Sequence, residues 1–154
     1  SVQYIHDEVG VNSRLDSIQA AILRVKLRHL DQYNEARNTA AKKYDAAFKN
    51  HPNIITPERS KHSNHVFHQY TLKLTGGGRD ALRDHLNKNH IPSGIYYPIP
   101  LHLQKAYLDQ RYTEGDFPVT EDLCKSVISL PMHTELDDEQ IEFITTTVLN
   151  FINA

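Results

Sequence analysis

Residues 11–51 contain neither proline nor glycine, and this uninterrupted run constrains the fold more than any other feature. Leu15, Ile18, Ile22 and Val25 recur at spacings of three and four, which places them on one face of a helix. Leu23, Leu27 and Leu30 form a second stripe on another face. A helix that is apolar on two sides needs cover on two sides. Asn12 or Ser13 is placed to cap its start, and Asp16 falls in the first turn, where the helix dipole favours a carboxylate. A second helical stretch carries Tyr33, Ala36, Ala40, Tyr44 and Ala47 or Phe48 on one face. The pattern is compatible with one long helix or with a bend near residues 29–31.

Beyond residue 51 the periods shorten. Pro52 and Pro57 bracket a small apolar piece, Ile54-Ile55. Val66, His68, Tyr70, Leu72 and Leu74 alternate with Phe67, Gln69, Thr71 and Lys73, which predicts a strand. Gly76-Gly77-Gly78 turns the chain into a helix bearing Leu82 and Leu86 and closing near Asn89. Residues 91–97 read as another strand, after which Pro98 and Pro100 impose an extended segment. Pro118 suits the first turn of a helix. Ile128-Ser129-Leu130 reads as a short strand ended by Pro131. Asp137, with Gln140 three residues on, predicts a capped final helix whose core face is Ile141, Ile144, Val148 and Ile152. The order implies an α/β fold of the α+β kind: a long N-terminal helix, then a small, mainly antiparallel sheet covered by helices.

Composition narrows the class. Hydrophobic residues make up 39 % of the 154, enough for a real core. A net charge of −2 with no basic run argues against a nucleic-acid binder or a polybasic membrane anchor. No apolar stretch approaches the roughly 20 residues needed to span a bilayer. The single cysteine, Cys124, forms no internal disulfide, and without a signal peptide the expected compartment is the cytoplasm. The opening at Ser1, in a polar strand-like stub, leads us to expect a fragment or a processed product.

Several side-chain groupings invite chemistry. His62, His65 and His68 stand three apart, but residues three apart on a strand face opposite ways, and no cysteine or carboxylate nearby completes a zinc set. Gly78 is followed by Arg79-Asp80, which fails the phosphate-loop pattern and leaves a plain strand-to-helix turn. Cys124 lies beside Leu123 on an apolar helical face and is expected in the core.

Two segments carry more. In residues 10–16, Gly10 permits an unusual turn, and Asn12 and Arg14 offer neutral and cationic donors at a helix mouth. Backbone N–H groups, dipole and guanidinium could converge there on a phosphate. Capping by Asn12 with a surface Arg14 fits the same residues. In residues 94–104, Tyr96, Tyr97, His102 and Gln104 sit on a proline-braced loop, either as ligand contacts or as anchors of the loop itself.

Both segments bear a family likeness. Residues 10–23, Gly-Val-Asn-Ser-Arg-Leu-Asp-Ser-Ile-Gln-Ala-Ala-Ile-Leu, closely resemble a motif of the DegT/DnrJ/StrS sugar aminotransferases. Residues 97–104, Tyr-Pro-Ile-Pro-Leu-His-Leu-Gln, look like its second signature, and residues 65–70 and 129–133 look like further landmarks in the same order. The resemblance implies the C-terminal part of an aspartate-aminotransferase-like fold, with residues 1–50 as a linking segment with long interdomain helices and 51–154 as the small domain. It implies a homodimer with shared active sites, pyridoxal phosphate held as a Schiff base by a lysine of the large domain, and transfer of nitrogen from an amino acid, usually glutamate, to a keto sugar nucleotide. By the same resemblance Asn12 reaches the cofactor phosphate of the neighbouring subunit. Arg14 lies near the phosphates of cofactor or substrate. Tyr96 and Tyr97 line the sugar-nucleotide side, Tyr96 standing where several relatives have histidine, and His102 is a pocket residue. The likeness is nearest to enzymes that aminate UDP-linked keto-hexuronates for surface polysaccharide. No lysine of this chain has the context of the Schiff-base lysine, so the chain by itself is expected to be inactive. A non-catalytic cofactor or sugar-nucleotide sensor of the same fold is the alternative, and an independent α/β binding module the third reading.

Overall fold

The structure, a computed structural model, describes residues 13–154. Its contacts form two units, the first ending at Gln32 and the second running from Tyr33 to Ala154.

In the first unit, helix α1 spans Ser17–Lys26. Its cap is not Asn12, which lies outside the described residues, nor Ser13. It is Asp16, whose carboxylate accepts from Gln19 N–H at 2.8 Å. Asp16 therefore stands one place before the helix, with extended backbone, instead of inside the first turn. Leu27–His29 tighten into a 3-10 turn, and helix α2 follows over Leu30–Phe48. The long run is thus two helices joined by a turn in which Leu30 N–H reaches back only three residues, to Leu27. Both apolar stripes of α1 are exposed, from Leu15 and Ile18 to Leu27.

The second unit holds the core. Ala40, Ala41, Tyr44 and Phe48 of α2 are buried, while Ala47 of the expected stripe is exposed. Strands β1 (Ile54–Ile55), β2 (Tyr70–Leu74) and β3 (Val127–Leu130) form an antiparallel sheet with β2 in the middle. Ile54 pairs with Leu74 and Tyr70 with Leu130. Alternation puts Tyr70, Leu72 and Leu74 into the core. On the other face Thr71 shares a hydrogen bond with Ser129 at 2.8 Å, and Lys73 pairs with Asp122 of helix α4 (Pro118–Ser126). Leu82 and Leu86 of helix α3 (Arg79–Lys88) and Ile141, Ile144 and Val148 of helix α5 (Asp138–Ile152) complete the core. The capping box of α5 forms as the sequence suggests, with Asp137 accepting from Gln140 N–H and the Gln140 side chain from Asp137 N–H. Gly78 caps α3 with φ at 77°, a left-handed backbone that favours glycine.

Two expected strands are shorter than their patterns. The first begins at Tyr70, not Val66, because Phe67 adopts φ 47° and donates its N–H to His65 Nδ1 at 2.9 Å. That left-handed step breaks the alternation: Phe67 is buried and Val66 is exposed. The second, residues 91–97, reduces to one bridge between Gly94 and Ser129. Its start is taken by the end of α3: Ile91 N–H reaches Leu86 O at 2.9 Å and His90 N–H reaches Asn87 O at 3.0 Å, a Schellman closure with His90 at φ 58°. Pro92 then has no N–H to offer a ladder.

Around α2, two buried phenols find fixed acceptors. Tyr44 OH donates to Pro131 O at 3.0 Å, and Tyr70 OH to Asp45 at 2.7 Å. Arg59 forks onto the same carboxylate and lies 4.6 Å above the Phe67 ring. Burial pushes both phenols well above the usual tyrosine range, and for Tyr70 the Asp45 carboxylate adds to it.

Replacing Leu72, fully buried on the central strand, by alanine should lower stability by about 2–5 kcal/mol in urea unfolding. His90→Gly should raise it by roughly 1 kcal/mol, since the position requires a left-handed backbone that costs histidine and not glycine.

Candidate functional site

The proline-braced loop folds around two hollows in the second unit, and Tyr96 borders both. One, of about 310 Å³, is lined by His68, Gln69, Ser93, Gly94 and residues 129–132, at the end of β3 and just beyond it. The other, of about 530 Å³, lies between Tyr96, Tyr97, Ile99 and Gln104 of the loop and Thr120, Leu123 and Cys124 of α4. Local chemistry explains why Tyr96 stands there. Gly94 is tied to Ser129 by two backbone hydrogen bonds, of 3.0 and 2.7 Å. The Tyr96 ring then lies so close over Gly94 that a Cβ at that position would be 2.5 Å from it. A residue with a Cβ here would have to push the outer end of the Tyr96 ring aside. The Tyr96–Tyr97 peptide is cis, and the two rings meet edge to face at 6.1 Å. Tyr96 is 52 % and Tyr97 74 % exposed, so both rings are open to a ligand. The Ser93 hydroxyl, bordering the smaller hollow, is buried without a partner among the described residues.

His102 goes elsewhere. Its side chain is buried, donates from Nε2 to Glu121 at 3.1 Å, and packs 4.8 Å from the Phe117 ring. It borders a third hollow, of about 510 Å³, with Tyr107, Arg111 and Tyr112. Glu121 is the group that sequence reasoning missed. Its carboxylate accepts from Gly115 N–H at 2.9 and 3.0 Å, from Phe117 N–H at 3.3 Å and from His102. The Gly115 amide, then the Phe117 amide and the His102 ring, hold this carboxyl below the usual glutamate range against the opposing effect of burial. In the sequence Glu121 is an ordinary first-turn acid of a helix begun by Pro118, and nothing local marks it. Arg79 is similarly silent in sequence. It is buried and donates to the Cys124 and Val127 carbonyls, satisfying the C-terminal end of α4.

The remaining candidates are placed as follows. Arg14 lies in the first unit, exposed, and among the described residues it has no hydrogen-bond or ion-pair partner. Its guanidinium is a donor set suited to phosphate. Asn12 lies outside the described residues. Tyr96 and Tyr97 share a hollow with Cys124, which is buried. Among the described residues no three histidine, cysteine or acidic side chains are grouped to hold a metal ion. No helix among them is long and apolar enough to cross a membrane.

A model of the DegT/DnrJ/EryC1/StrS aminotransferase family matches residues 1–149. The chain belongs to this family. It is 45 % identical over 145 residues to a UDP-N-acetyl-3-dehydro-alpha-D-glucosamine 3-aminotransferase of Acidithiobacillus ferrooxidans, covering 94 % of this chain and 38 % of the relative. It is 40 % identical over 146 residues to the erythromycin biosynthesis sensory transduction protein EryC1 of Saccharopolyspora erythraea, covering 95 % and 39 %. Among solved structures, S. venezuelae DesV in complex with a ketimine intermediate superposes with a TM-score of 0.88 at 34 % identity, over 99 % of this chain and 40 % of DesV. Other structures of this fold were solved in PLP and PMP forms. The chain thus spans about two fifths of the length of the family members it matches. The aminotransferase fold expected from the sequence is the one observed, and the small antiparallel sheet covered by helices is its C-terminal part.

The depressed pKa of Glu121 has a definite sign. A carboxyl bound more tightly as an anion in the fold than in the unfolded chain stabilises the fold above its unfolded pKa, and that stability is lost as pH falls through the folded value. The urea midpoint should therefore fall on acidification from about pH 5 downward. Glu121→Gln should be less stable at neutral pH and show a flatter acid limb.

Proposed function

We propose that the full-length protein is a PLP-dependent aminotransferase that moves an amino group from an amino acid, glutamate, to the keto group of a nucleotide-linked sugar. Family membership over residues 1–149 carries this reading. The name of the A. ferrooxidans relative supports the substrate class. On this reading residues 1–50 link to a large domain and 51–154 form the small domain of a homodimer working in the cytoplasm.

Each part of the site then has a task. Arg14, exposed and without an ionic partner among the described residues, and Asn12 would hold the cofactor phosphate. Bound PLP supplies the electron sink that makes nitrogen transfer feasible. Tyr96 and Tyr97 present two phenols and two ring faces at the mouth of the 530 Å³ hollow, a combination suited to orienting a sugar and stacking on a base. Ile99 and Leu123 give that hollow an apolar wall for a sugar or base face to pack on. The Schiff-base lysine belongs to the large domain, so this chain alone turns nothing over. A second reading, a non-catalytic sensor of the same fold, is favoured by one observation, the sensory name borne by the EryC1 relative.

Two measurements test these readings. Full-length protein supplied with glutamate, PLP and a UDP-linked 3-keto sugar should release 2-oxoglutarate. Binding of the sugar nucleotide without any nitrogen transfer would favour the sensor. The isolated chain, mixed with PLP and reduced with borohydride, should give no stoichiometric adduct by mass spectrometry. A single adduct on one lysine would overturn the assignment of that lysine to the large domain.

A further inference from the structure

We propose that Glu121 is a positioning residue for the tyrosine site, fixing the wall that the 98–117 loop and α4 build beside Tyr96 and Tyr97. The inference rests on the aminotransferase reading for its substrate. Its geometry stands independently.

The loop leaves Tyr97, makes two 3-10 turns at Leu101–Leu103 and Lys105–Tyr107, and returns to α4 at Phe117. Few of its residues are held by the core: Leu101, Tyr107 and Leu108 are all about two-thirds exposed. A loop of this length needs ties to keep one shape. Glu121 provides them from both directions. It receives His102 from the outgoing arm at 3.1 Å and the Gly115 and Phe117 amides from the returning arm. One buried carboxylate thus closes the loop onto α4 through charge-assisted bonds. Leu101, next to His102, and Thr120, next to Glu121, border both the 530 Å³ hollow with the tyrosines and the 510 Å³ hollow on the far side. The partition between the two hollows is therefore built from the immediate neighbours of the pair. Glu121 itself lines neither hollow. It acts through its neighbours and needs no contact with substrate.

The test uses the full-length protein and three variants. Glu121→Ala removes all the ties. Glu121→Gln keeps one carbonyl oxygen for an amide and an NH₂ group for the ring. Leu74→Ala weakens the core on β2 and leaves the loop's ties intact. In Glu121→Ala the KM for a UDP-linked 3-keto sugar should rise about tenfold or more with kcat changed far less, the signature of lost binding geometry. Glu121→Gln should recover most of that loss, and Leu74→Ala should leave KM as in the wild type. Independently of turnover, Cys124 shares the tyrosine hollow, so N-ethylmaleimide should label its peptide faster in Glu121→Ala than in wild type or Leu74→Ala. An unchanged KM in an active Glu121→Ala enzyme, or an equal rise in Leu74→Ala, overturns the proposal. If the wild-type protein turns over no keto sugar nucleotide, the functional reading fails on its own, and the Cys124 labelling rates alone decide the role of Glu121: equal rates would refute it.

Discussion

The second unit depends on how two tyrosines are buried. Tyr44 on α2 and Tyr70 on β2 meet with ring centroids 4.8 Å apart, and each must dispose of a hydroxyl that the core cannot solvate. Tyr44 does so on the Pro131 carbonyl, just beyond β3, and Tyr70 on Asp45, the residue that follows Tyr44 on α2. Helix, central strand and the end of the third strand are thereby placed relative to one another by two directional bonds inside an apolar cluster. Asp45 then recruits Arg59, which lies over Phe67 and holds the irregular stretch before β2 against the helix. Apolar burial drives the collapse. The two hydroxyls select one arrangement among the many that would bury similar area.

What was legible in the sequence follows from the range of the interactions concerned. Gly78, Pro118 and the Asp137–Gln140 box act within one turn of chain, and each sits where local chemistry places it. The apolar periods of β2, α3 and α5 are also local, and their core residues were readable. Failures arose where a competing contact intervened. Phe67 took a left-handed backbone and reversed the alternation of the strand ahead of it. The Schellman closure at His90 consumed the first residue of an expected strand, and Pro92 denied it a further donor. Asp16 caps the first helix because its carboxylate, one residue before the helix, accepts from Gln19 N–H.

The site shows the same division. Tyr96 and Tyr97 stood out because polar aromatics on a proline-braced loop are unusual locally. Both border the larger hollow. His102 stood out for the same reason, yet its ring is turned to Glu121, a partner 19 residues away that no spacing rule selects. Glu121 and Arg79 gain meaning only from tertiary neighbours: one gathers amides from a returning loop, and the other closes off the carbonyls of a helix to which it does not belong.

The crowding of Tyr96 over Gly94 links the fates of those two positions. A Cβ at 94 would meet the ring as it now lies, so a side chain there displaces the outer end of Tyr96, which is half-exposed and has room to swing away. The reverse does not hold, since a smaller residue at 96 leaves the glycine untouched. The two positions are therefore coupled: a side chain at 94 displaces a tyrosine at 96 and leaves a smaller residue there undisturbed, so the effects of the two substitutions will not add.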